Sequence, residues 1–125
     1  MPVRSLTSCV LKWPDRQTVV TALKDWVASE VERHPELLRL GYFGSYARGN
    51  WGVGSDLDLV AVVAADPQPF ERRAVGWRTE ELPVATDLLV YTQEEWGRLS
   101  RDKNPFISTL EREVVWVWGS DKGDD

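Results

Sequence analysis

The chain is poor in the residues that many catalytic and metal sites need. It holds one cysteine, Cys9, and one histidine, His34. A lone cysteine cannot close an internal disulfide, so a disulfide scaffold is excluded and a reducing, cytoplasmic setting is expected. So few thiols and imidazoles leave no basis for a zinc cage, a Cys-His pair or a Ser-His-Asp triad. Long apolar runs are also missing. The longest, Leu57 to Ala65, is broken by Asp58 and is far too short to span a bilayer. The N-terminal stretch has no apolar core of the secretory-signal kind, and no membrane contact is expected. Positive charge is scarce: 15 Lys and Arg stand against 20 Asp and Glu, a net charge of −5. Nucleic-acid binding rests largely on a basic face. A template-bound polymerase and a general RNA binder are therefore disfavoured, and no direct nucleic-acid contact is expected. Repeats, low-complexity tracts and Pro/Gly/Ser-rich linkers are absent.

What is present suits one compact unit. The 125 residues include seven tryptophans, large rings that help a small domain fill its core. A single domain over 1–119 is expected, with a frayed polar tail at 120–125. Val19, Leu23, Val27 and Val31 recur every four residues and predict a helix from Asp15 to His34, with Asp15 as its N-cap and His34 at its C-terminal, negative end. Leu37 to Phe43 reads as a strand, Leu57 to Ala64 as a buried strand, and Val84 to Tyr91 as a third. A helix is predicted over 68–81, with Arg72-Arg73 on its solvated face. A short helix follows the capping-box pair Thr92 and Glu95, then another helical stretch around Phe106, Ile107 and Leu110, and a last strand over 114–118. This order predicts an α/β (α+β) class: a small mixed β-sheet flanked by helices. Trp26, Trp77 and Trp96 are expected in the core.

The informative segment is Gly44 to Leu59, GSYARGNWGVGSDLDL. Asp56 and Asp58 lie two apart at a strand, so both point to one face, while Leu57 and Leu59 point to the other. Two carboxylates this close repel, and gathering them in a half-buried place is costly without a cation. Mg²⁺ suits them: it is hard, takes oxygen ligands, and is commonly shared with substrate phosphates. Gly44-Ser45 follows a strand and opens a short helical turn. Glycine there lets the backbone approach a phosphate, which the following N–H groups and the Ser45 hydroxyl can hold. Asp87 is a third isolated carboxylate in an apolar strand. If its strand lies beside the second, it joins Asp56 and Asp58 in a set able to bind two metal ions, or it accepts the proton of an attacking hydroxyl.

Arg48 either touches the triphosphate or pairs with a nearby carboxylate. Ser55 either helps position the triphosphate or caps the strand, the simpler reading. Trp51 either stacks on a base or covers core, again the simpler reading.

Gly44-Ser45, ten intervening residues, then Asp56-Leu57-Asp58 resembles the signature of the polymerase-beta-type nucleotidyltransferase superfamily. With the later Asp87, it is similar to the minimal nucleotidyltransferases. The resemblance covers about residues 35–95. It implies the polymerase-beta-type nucleotidyltransferase fold, with Asp56, Asp58 and Asp87 as catalytic ligands of two Mg²⁺. Gly44, Ser45, Arg48 and Ser55 would bind ATP or another NTP. It implies transfer of a nucleoside monophosphate, AMP foremost, to a hydroxyl with release of pyrophosphate. Minimal members are often paired, as antitoxins, with a HEPN-domain toxin that they can modify on a tyrosine. The chain has no evident room for a separate acceptor domain, so a partner, a second copy in a homo-oligomer, or a shallow surface is expected to supply the acceptor. A small-molecule acceptor, or an antitoxin that only masks its toxin, are the alternatives.

Overall fold

The computed structural model describes residues 15–49 and 56–119. Its first element, α1 (Arg16–Arg33), starts where the Asp15 side chain accepts from Thr18 N–H at 2.8 Å. Val19, Leu23, Trp26 and Val27 form its buried stripe. β1 (Leu37–Phe43), the single turn α2 (Ser45–Arg48) and β2 (Leu57–Val63) follow. After two 3₁₀ turns, Phe70–Gly76 and Thr79–Glu81, come β3 (Thr86–Thr92), α3 (Gln93–Arg101), α4 (Pro105–Glu113) and β4 (Val115–Trp118). The expected capping box is present at α3: Thr92 Oγ1 accepts from Glu95 N–H, and the Glu95 carboxylate accepts from Thr92 N–H. Asn104 caps α4, with Pro105 at its first turn.

The four strands form one sheet in the order β3-β2-β1-β4. β1 runs antiparallel to both β2 and β4, and β2 runs parallel to β3. The sheet is therefore mixed, as the element order predicts. β2 is central and buried on both faces. Leu57, Leu59, Ala61 and Val63 pack with α1, Tyr42, Trp77 and Val90. Val60 and Val62 pack on the other side with Trp96, Ile107 and Leu110 of α3 and α4. Period-two alternation thus places Asp58 on the α3–α4 side of the sheet, at the end of the strand where core packing stops.

Two expectations need correction. Residues 68–81 do not form one helix. Arg73 and Trp77 are drawn in opposite directions, Arg73 toward β3 and α3, Trp77 toward α1, and a regular helix between Pro69 and Pro83 does not serve both. The segment winds as two 3₁₀ pieces instead. Arg73 is also not solvated. It is buried, donating from Nε to Gln68 O at 2.8 Å, from Nη1 to Val90 O at 3.2 Å and Glu95 Oε1 at 2.7 Å, and from Nη2 to Glu95 Oε2 at 3.0 Å. Every one of its nitrogens has an acceptor, which is what lets a guanidinium be buried.

Trp26, Trp77 and Trp96 are in the core as expected, each about 5% exposed or less. His34 caps the end of α1 and stacks flat on Trp77, with ring centroids 3.8 Å apart. Among the described residues, no helix is long and apolar enough to cross a membrane.

Candidate active site

The site is built at the ends of three strands. The register pairs Phe43 of β1 with Asp58 of β2, and Asp58 with Asp87 of β3. Strands in a sheet lie about 4.8 Å apart, and register partners point to the same face. The two aspartates are thus neighbours on one side of the sheet. Asp56 immediately precedes β2 and is exposed, as is Asp87, while Asp58 is half-buried.

The Asp58 carboxyl is held above its usual range. Burial is the main cause, followed by the charges of Asp87 and Asp56; Arg48 acts in the opposite sense, and Glu113 adds a further negative charge. All four groups are therefore close enough to Asp58 for its titration to respond to them.

Gly44 joins β1 to this group. Its φ is 75° and ψ −148°, a conformation that side chains rarely adopt. A Cβ built there runs into the Asp58 Oδ2. The strand-to-turn corner thus brings the Gly44 backbone directly against the Asp58 carboxylate and leaves no room for a side chain. The turn α2 that follows is fixed by its buried Tyr46 and by Arg16 of α1. Arg16 donates from Nε to Tyr46 O at 3.0 Å and from Nη2 to Tyr42 Oη at 2.8 Å.

Sequence reasoning missed Glu113, the last residue of α4. Its Oε1 accepts from Gly44 N–H at 2.9 Å, and its two oxygens face Arg48 Nη1 at 3.3 and 3.4 Å. One signal was available: a glutamate at the C-terminal end of a helix opposes the helix dipole, so it needs a partner elsewhere. In the structure Arg48 pairs with the Glu113 carboxylate. Ser55 and Trp51 lie outside the described residues. A cavity of about 460 Å³ lined by Arg39, Trp96, Ser100, Arg101, Glu111 and Trp116 shares no residue with the aspartates.

The donors facing Asp58 are oxygen atoms, the chemistry a hard dication takes. Among the described residues, no group of three or more His, Cys, Asp and Glu side chains is placed to hold a metal ion by itself. What the register brings together is the pair Asp58 and Asp87, and one or two carboxylates are what Mg²⁺ commonly takes from a protein, with water and phosphate oxygens completing its sphere.

Residues 24–115, from within α1 to the start of β4, match the nucleotidyltransferase domain family. The chain belongs to that family. Among solved structures, a protein from Sulfolobus solfataricus provisionally named a nucleotidyltransferase is 20% identical, with a TM-score of 0.61 over 86% of each chain. A toxin-antitoxin complex with AMP-PNP is 19% identical, with a TM-score of 0.56 over 81% of this chain and 77% of that one. A doubly Asp→Glu substituted toxin-antitoxin MntA-HpeT matches at 16% identity and a TM-score of 0.56, over 81% of this chain and 76% of that one. At such identities the likeness is one of fold. No curated protein matches the chain in sequence.

Proposed function

We propose that this nucleotidyltransferase moves AMP from Mg·ATP onto a hydroxyl of a partner protein, a HEPN-type toxin being the favoured acceptor, and releases pyrophosphate. The observation that carries the reading is the register of Asp58 with Asp87, with the Gly44 backbone packed directly against the Asp58 carboxylate. Like-charged neighbours in a half-buried place are costly to keep, and a binding surface alone has no use for them. In this reading Asp56, Asp58 and Asp87 hold Mg²⁺, two ions when fully loaded. The metal supplies charge neutralisation at the α-phosphoryl group.

The chain's own residues do the rest. Gly44 N–H and the Ser45 turn hold phosphate oxygens, and Ser55, outside the described residues, is assigned to the triphosphate on the sequence alone. Arg48 offsets negative charge as it builds on the leaving pyrophosphate. Asp87, exposed at the sheet edge, accepts the proton of the incoming hydroxyl. The new bond joins that oxygen to the α-phosphorus, and the bond between α-phosphorus and its bridging oxygen breaks, with both electrons leaving on pyrophosphate. The toxin-antitoxin neighbours, one of them with AMP-PNP, support a protein acceptor.

The test is a labelling reaction with α-labelled ATP, Mg²⁺ and the product of the adjacent gene as acceptor. Label on that protein, lost with EDTA and with Asp58→Asn, is the expected result. A tight complex without label, beside an active control enzyme, would replace catalysis with masking.

A further inference from the structure

Glu113 carries a role beyond that reading. Its carboxylate ends α4, where the helix dipole is negative, and it is only 21% exposed. It is kept there by Gly44 N–H and Arg48. These are two of the groups that the proposed function gives to the triphosphate. A backbone N–H has one hydrogen to donate, so Gly44 cannot serve Glu113 and a phosphate oxygen fully at once.

We propose that Glu113 is an internal stand-in for phosphate: it occupies the Gly44 amide and Arg48 until a triphosphate displaces it, and so sets the nucleotide affinity. The inference rests on reading Gly44–Arg48 as the cradle. The exchange is a side-chain rotation and not a shift of α4. Only Val114 separates Glu113 from β4, whose Val115 is in register with Tyr42. The Glu113 backbone is therefore tied to the sheet, while its side chain has solvent on one side. Displacement also takes a negative charge away from Asp58 as the triphosphate, with its own counter-ions, arrives.

Calorimetric titration of inorganic tripolyphosphate, and separately of Mg·ATP, tests this on the wild-type chain, Glu113→Gln, Glu113→Ala and Glu111→Gln. Glutamine removes the charge but keeps an acceptor for Gly44 N–H; alanine removes both. Occupancy predicts stepwise tightening, to about tenfold in Glu113→Ala, with Glu111→Gln unchanged. Equal tightening in Glu113→Gln and Glu113→Ala reduces Glu113 to a background charge and overturns the proposal. So does weaker binding in Glu113→Ala. Wild-type binding that does not respond to Glu113 overturns it while leaving the nucleotide reading intact. Absence of binding in every protein overturns both. Should Glu113→Ala fail to fold, the Gly44 amide resonance of the wild-type chain decides. It must shift when tripolyphosphate is added, and an unmoved resonance under saturation sinks the proposal.

Discussion

Asp58 and Asp87 are register partners on adjacent parallel strands, and the charge of Asp87 helps hold the Asp58 carboxyl above its ordinary value of 3.8. An acid raised in the folded state binds its proton more tightly folded than unfolded. Its contribution to stability therefore declines as pH rises from the unfolded value through the folded one, and the full penalty applies above that. Asp58→Asn removes the penalty. Without divalent metal at neutral pH, the variant is expected to melt about 1–3 °C higher than the wild type. The gap should close below about pH 3.5, where the wild-type carboxyl is protonated in both states. Thermal melts in EDTA across pH check this. A variant that melts lower at neutral pH contradicts the crowding of charge. The same substitution should abolish nucleotidyl transfer, a gain in stability traded against function.

Gly44 is the tightest constraint on the site. An alanine there has to adopt φ near 75° and push its Cβ against the Asp58 carboxylate. Gly44→Ala is expected to cost about 1–3 kcal/mol in chemical denaturation. Part of that cost comes from Asp58 itself, so Asp58→Ala in the same chain should recover about 0.5 kcal/mol or more. Strict additivity of the two substitutions would place the strain in the backbone alone.

The elements that were legible in the sequence are those whose signal is periodic or carried by a cap. The stripe of α1, the buried run of β2 and the Thr92–Glu95 box each rest on residues close in sequence. That Asp58 and Asp87 come to share one face was legible, because strand alternation fixes which residues of neighbouring strands point the same way. The 68–81 segment was not, because its conformation is set by what Arg73 and Trp77 reach in distant elements. Arg72-Arg73 looks like a solvated pair until Glu95 and the Val90 carbonyl are known to meet Arg73. Glu113 lies 69 residues from Gly44, and that separation hid it. Its one local mark is its place at the wrong end of a helix dipole.

The Arg73–Glu95 pair locks the 3₁₀ segment to α3. Arg73 lowers the Glu95 carboxyl from 4.5 to about 2, mainly through their hydrogen bonds, with the Thr92 N–H assisting. For an acid depressed in the folded state, the stabilisation is present above the unfolded value and is lost as pH falls through the folded one. Acid unfolding should therefore show a loss of stability between about pH 4.5 and pH 2 that Glu95→Gln flattens. Arg73→Ala leaves the Val90 and Gln68 carbonyls without their donor and is expected to cost about 3 kcal/mol. Urea melts of both variants from pH 2 to 7 measure this. A Glu95→Gln curve parallel to that of the wild type contradicts the assignment.

Arg16 holds in place the turn that the proposed function assigns to the phosphates. It is the first residue of α1, yet it reaches Tyr46 O in α2 and Tyr42 Oη in β1, joining a helix start to the turn that begins at Gly44. Its guanidinium also lies over the Tyr42 ring, 5.7 Å from the centroid. Removing it takes the donor from a backbone carbonyl of the turn while leaving the aspartates untouched. Arg16→Ala should cost about 1–2 kcal/mol in stability. In the transfer reaction it should raise KM for Mg·ATP several-fold, with kcat less affected, because the loosened turn weakens nucleotide binding before it affects the reacting atoms. Tyr42→Phe deletes only the hydroxyl partner, keeps the Tyr46 contact and should fall between the two. A selective fall in kcat with KM unchanged would instead put Arg16 in the chemistry of the transfer and remove it from the support of the Gly44 turn.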